Sequence, residues 1–155
     1  MYKRQAWRDA IPDLDPYRNQ LRSGLVVAQE CWDTLVYADP NTLTMKPLLA
    51  TAWRQVDPVT LEFTLRDGVR FHNGDPFDAD DVVYTVNTAA QDPSVAVPGN
   101  TAFLDHAEKV DATHVRLVLR HPYAAALDTI AAVLPILPHA YRERVGAAMV
   151  SSAAA

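Results

Sequence analysis

Apolar and polar residues change period several times along this chain, and each change predicts an element. Leu25, Ala28, Trp32, Leu35 and Val36 recur at helical spacing with Gln29, Glu30 and Asp33 on the opposite side, which predicts an amphipathic helix over Ser23 to Tyr37 with Ser23 as its N-cap. Ahead of it, Ile11-Pro12-Asp13-Leu14-Asp15-Pro16 carries turn formers that exclude a regular strand or helix. Asp39-Pro40-Asn41 and Lys46-Pro47 predict further turns. Beyond them Leu61, Phe63 and Leu65 alternate with Glu62, Thr64 and Arg66, the period of a half-buried strand. Thr51 to Val56 is its expected hairpin partner across Asp57-Pro58. Asp67-Gly68 and Asn73-Gly74 bracket a short extended piece, Val69 to His72.

The period then lengthens again. Val82, Val83, Val86, Ala89 and Ala90 form an apolar stripe behind Asp78, Asp80 and Asp81, acids suited to the positive end of a helix, which is expected over Ala79 to Ala90. Gln91-Asp92-Pro93 ends it, and Pro98-Gly99-Asn100 predicts a loop. Val115, Leu117 and Leu119 alternate with His114, Arg116 and Arg120 in a second hairpin after Val110 to Thr113, which echoes the first and points to both hairpins lying in one sheet. A short helix from Pro122 to about Ala132, an extended run Val133 to Pro138 and a helical turn or two over His139 to Val145 complete the pattern. The fold class is mixed α and β, a hairpin-rich sheet with packed helices.

Composition narrows the function. The 155 residues are 49% hydrophobic, enough for a real core, and the formal net charge of -5 leaves no basic surface for a phosphate backbone, so nucleic acid is not an expected partner. No run approaches the roughly 20 apolar residues of a membrane-spanning helix. Met1 to Asp9 has basic residues but no apolar core after them, so it does not read as a secretory signal, and Ala147 to Ala155 is small-residue sequence without a packing pattern. Two such ends around a well-patterned middle predict a piece of a longer chain. The single cysteine, Cys31, excludes an internal disulfide and reads as a small buried apolar residue.

Candidate chemistry is sparse. Asp75, Asp78, Asp80 and Asp81, with His72 nearby, are the residues a metal-dependent hydrolase would use, but their spacing fits no calcium loop and helix capping accounts for the same acids. His106, His114, His121 and His139 never pair at the spacing of a zinc motif, and no phosphate-binding glycine loop exists. Trp7, Trp32 and Trp53 read as core residues. A free-standing interaction module built on the two hairpins is the other alternative.

The informative stretch is longer than any of these. Pro47-Leu48-Leu49-Ala50-Thr51-Ala52-Trp53, then Leu61 to Arg66, Asp67-Gly68-Val69, Phe71-His72-Asn73-Gly74, Pro76-Phe77 and Asp81-Val82-Val83 run in the order of a signature region. It resembles that of the bacterial extracellular solute-binding proteins of family 5, the peptide, nickel and opine receptors of ABC importers. Leu14-Asp15-Pro16, Trp32 to Val36, Val110-Asp111 and Leu134 to Tyr141 fit other family positions, so the resemblance runs from about Leu14 to Gly146.

That resemblance implies a portion of a two-lobed clamp of the type II periplasmic-binding-protein kind, a non-enzymatic, monomeric receptor outside the cytoplasm that needs no cofactor. It would capture a peptide or other small solute and deliver it to ABC permease subunits. Family members are far longer, with a signal sequence in front and a second lobe behind. Residues 1–33 would begin the first lobe, 34–137 form a small accessory domain, and 138–155 begin the return to the first lobe. The family places its solute just beyond the leucine-aspartate-proline turn, which by position implies Gln20, Leu21 and Arg22 as ligand contacts.

Overall fold

A computed structural model describes residues 15–18, 22–92 and 98–145. Eleven elements follow in order: α1 (Arg22–Cys31), β1 (Val36–Ala38), β2 (Met45–Pro47), β3 (Ala50–Asp57), β4 (Thr60–Leu65), α2 (Ala79–Gln91), α3 (Pro98–Thr101), β5 (Leu104–Lys109), β6 (His114–Leu119), α4 (Ala126–Val133) and α5 (His139–Val145). None of the described helices is long and apolar enough to cross a membrane.

The two hairpins join in one antiparallel sheet of order β3-β4-β6-β5, as their matching alternation predicts. Phe63 stands opposite Val115 and Leu61 opposite Leu117, so the inward residues of the central strands meet across the ladder. In β5 the buried residues are Leu104 and Ala107, three apart instead of two, because the register shifts between Leu104 and His106 and the extra residue turns the strand. Against this face lies α2, which buries Val82, Val86 and Ala89.

On the outer face one row of the sheet reads Arg54, Glu62, Arg116, Glu108 across all four strands. Glu62 accepts from Arg54 Nε at 2.8 Å and Nη2 at 2.6 Å on one oxygen, and from Arg116 Nε at 2.8 Å on the other. These hydrogen bonds hold its carboxyl below the usual glutamate range. The row fixes register on the face where no apolar core can do so. At the β5–β6 turn the Asp111 carboxylate accepts from the Thr113 amide at 2.7 Å and from the His114 ring at 3.0 Å, which brings its pKa down to about 2.

Helix α2 begins as the acids predict. Asp78 is its N-cap and accepts from the Asp80 amide, while Asp81 reaches back to the Asp78 amide, a capping box closed from both sides. It ends at Gln91, where the Asp92 amide closes on the Thr88 carbonyl.

Five expectations change. The first helix stops at Cys31 instead of reaching Tyr37, because residues 34–38 find partners elsewhere: Thr34 bridges Pro135 and Val36 pairs with Pro47. The β-branched side chains of Thr34 and Val36 suit that extended path. Lys46-Pro47 lies in β2 instead of a turn, with the proline at a strand end that needs no donor. Pro98 to Thr101 forms a one-turn helix instead of a loop. Ser23 falls inside the first turn of α1, and its buried hydroxyl finds no partner among the described residues. Cys31, expected in the core, is exposed at the C-terminal end of α1.

The turn before β2 contains a conformational cost. Leu43 has φ 56° and its side chain is 79% exposed, so it occupies the left-handed region with no packing in return. Leu43→Gly is expected to raise the unfolding free energy by up to about 1 kcal/mol. A urea titration of the two proteins measures it, and a lower midpoint for the glycine variant would contradict the assignment of strain.

Candidate functional site

The segment after the Asp15 turn begins from an unusually firm base. Arg142 on α5 donates from Nη1 to Asp15 Oδ2 at 2.6 Å, joining side chains that are 6% and 1% exposed and 127 residues apart. The other Asp15 oxygen accepts from the Tyr17 amide at 2.9 Å, and the Tyr17 hydroxyl donates to the Pro135 carbonyl at 2.7 Å. Burial first, and the Asp15 charge second, keep that phenol well above its ordinary pKa of 10.0, so it stays a donor.

The chain near Pro135 is itself pinned on both sides. The Ile136 amide donates to Asp33 at 2.9 Å, and Leu137 exchanges hydrogen bonds with Thr85 of α2, its amide donating to Thr85 Oγ1 at 3.0 Å. Of the residues implied as solute contacts, Arg22 is the first residue of α1, while Gln20 and Leu21 lie outside the described residues. Trp7 and both chain ends lie outside them as well.

Beside this base is an open cavity of about 210 Å³ between the end of α1, the 69–77 loop and α5. Its walls are mostly apolar, with Trp32, Phe71, Phe77, Ile136 and Tyr141 among them. Trp32 therefore packs against the core with one side and faces the cavity with the other, and Trp53 packs half-buried against the core from β3.

The aspartate cluster separates into distinct structural tasks. Asp75 holds the Asn73 side chain at 2.7 Å in the turn, and Asp80 points outward to Lys109 Nζ at 2.7 Å. His72 is exposed and does not join the acids that come together, which are Asp78 and Asp81 with His139. In that trio Asp81 Oδ1 accepts from both the amide and Nδ1 of His139, at 2.9 and 2.8 Å, and Oδ2 accepts from the Asp78 amide at 2.9 Å. Among the described residues, every short contact of the buried carboxylate is thus a protein donor at the positive end of a helix, a setting that opposes a cation. The capping reading holds here, and His139, 58 residues from Asp81, was not visible in local spacing.

This contact makes stability depend on pH. Burial of the His139 ring opposes its protonation, but its hydrogen bond to Asp81 and the charges of Asp81, Asp78 and Asp80 outweigh it and raise the pKa above 6.5. A raised histidine pKa stabilises the fold fully below 6.5 and loses that contribution as pH rises through the folded value. The melting temperature is therefore expected to fall from slightly acid to slightly alkaline pH, and Asp81→Asn should flatten this slope. NMR titration of the ring gives the direct check: a folded-state pKa below 6.5 would refute it.

Comparison with known proteins agrees with the geometry. Residues 44–153 match the model of the bacterial extracellular solute-binding proteins, family 5 Middle. Protein XP55 of Streptomyces lividans is 37% identical over 111 residues, covering 69% of this chain and 20% of its own length. Di/tripeptide-binding protein 2 of Pseudomonas aeruginosa is 31% identical over 123 residues, covering 67% of this chain and 23% of its own length. The chain thus spans about a fifth of such relatives. Among solved structures, MoaA of Agrobacterium tumefaciens in complex with mannopinic acid superposes with a TM-score of 0.80 at 24% identity over 90% of this chain and 30% of that one, a likeness of fold. With the signature region, the fold and the family model in agreement, the chain belongs to the bacterial extracellular solute-binding proteins of family 5 and carries that family's middle region.

Proposed function

We infer that this chain is part of the receptor of an ABC importer, which captures a peptide-like or related small solute outside the cytoplasm and hands it to permease subunits in the membrane. The family match over residues 44–153 carries this reading. The di/tripeptide-binding relative favours a peptide-like solute. In the intact receptor, residues 1–33 and 138–155 belong to the first lobe and 34–137 to an accessory domain. The receptor acts as a monomer and binds without chemical turnover.

Solute contact falls to Gln20, Leu21 and Arg22, which follow the anchored Asp15 turn. The guanidinium of Arg22 would pair with a solute carboxylate, a charge-assisted contact whose loss is expected to weaken binding by about tenfold or more. Calorimetry on the intact polypeptide that carries this sequence, with the dipeptide Met-Leu and with a nickel-histidine complex, tests the reading. Saturable binding of either that weakens in Arg22→Ala supports it. Binding unaffected by Arg22→Ala removes the site assignment, and no binding of either probe removes the choice of solute class.

A further inference from the structure

We propose that Arg142 is a positioning residue for solute capture, holding through Asp15 the turn from which the capture segment departs; this rests on the solute-binding reading above. The observation is the pairing of two ionised side chains in a place where both lose their water. Arg142 is 6% and Asp15 0% exposed, and Nη1 and Oδ2 are 2.6 Å apart. Burying such a pair costs more solvation than many pairs return, so an apolar pair of the same size would serve stability at least as well.

The arrangement is also poor as a device for stability alone. Arg142 Nε is buried and finds no hydrogen-bond acceptor among the described residues, which adds a further cost. What the pair does supply is direction. One carboxylate oxygen faces the guanidinium while the other receives the Tyr17 amide at 2.9 Å, and the Arg18 amide closes the turn on the Asp15 carbonyl at 3.1 Å. Tyr17 then reaches Pro135 through its hydroxyl, at 2.7 Å. Apolar packing at residue 15 could fill the space but could not set the orientation of this turn, because it lacks the two directional acceptors.

Upstream of Arg142, the same path is tied to the accessory region. Thr85 holds Leu137 and Asp81 holds His139, so α5 is fixed to α2 within one turn of Arg142. The turn therefore takes its position from the packed α2 and sheet, and such supporting contacts are how a binding segment acquires a defined geometry.

The double variant Asp15→Leu with Arg142→Met separates positioning from stability, because it removes both charges together. On the intact polypeptide, the melting temperature should fall by no more than the lost acceptor of the Tyr17 amide accounts for, while affinity for Met-Leu or the nickel-histidine complex falls about tenfold. Arg142→Lys, which keeps the charge, should recover part of that loss. A double variant with unchanged affinity overturns the proposal. If the double variant does not fold, Asp15→Asn, which keeps the shape and the acceptor for Tyr17, is held to the same criterion. Should the natural protein bind neither probe, the choice of solute class fails on its own, and hydrogen exchange in Arg142→Met then decides. Exchange of the Tyr17 and Arg18 amides about tenfold faster, with Phe63 and Val115 unchanged, supports positioning, and unchanged exchange overturns it.

Discussion

Phe63→Ala is expected to lower the unfolding free energy by about 3–5 kcal/mol, the cost of deleting a large buried ring whose neighbours close in only partly. Phe63 is 0% exposed and sits on β4, one of the two central strands, opposite Trp53 on one side and Val115 on the other. Both neighbouring strands are held in the ladder, so neither can move in to fill the space. Domains of this size are stable by only about 5–15 kcal/mol, so the loss is a large share of the total. A urea titration followed by circular dichroism should show the midpoint fall sharply with a single transition. Tyr123→Ala, at a position 37% exposed, provides the contrast, with a shift several times smaller. Equal shifts for the two would mean that the inner face of the sheet is not the core of the fold.

The reason Phe63 was legible from sequence is the strictness of its surroundings. Leu61, Phe63 and Leu65, and again Val115, Leu117 and Leu119, alternate without a break, and all six are buried. Two flanking turns, at Asp57-Pro58 and at Asp111 to Thr113, fixed where each hairpin reversed. The start of α2 was equally clear because capping is a local interaction among residues three apart, Asp78 and Asp81.

What the sequence could not reveal are the choices made by distant partners. The residues Thr34 to Tyr37 continue an apolar helical stripe, yet they become extended because Pro135 and Pro47 offer pairing that no local period records. The same holds for the candidate site. The leucine-aspartate-proline turn drew notice through resemblance, but its anchor, Arg142, is 127 residues away and looks like one more basic residue on a short polar helix. Cys31 differs from its expected burial for a related reason, since exposure at the end of a helix depends on where the helix stops. Local chemistry thus located the elements, while long-range hydrogen bonds decided which of them meet.

The second large effect is expected at one of those meeting points. Asp81 is 2% exposed and serves two helices at once, receiving the Asp78 amide at the start of α2 and both the amide and the ring of His139 at the start of α5. Asp81→Ala leaves three donors without their acceptor, and His139 loses the anion that raises its pKa. The combined loss is expected to be about 3–4 kcal/mol, well above that of an ordinary helix cap. Asp78→Ala, which removes the N-cap side chain only, should cost about 1 kcal/mol. Asp80→Ala should move the midpoint least, because that carboxylate is 49% exposed and its ion pair is the solvent-facing one with Lys109. The ranking Asp81, Asp78, Asp80 is what distinguishes a structural clamp from a cation site or a catalytic acid pair. A cation site would make the melting temperature of the natural protein rise with added zinc or magnesium and would make all ligand substitutions erase that rise. Thermal denaturation of the four proteins with and without each metal therefore settles the matter: the clamp requires the stated ranking and no metal response in any of them.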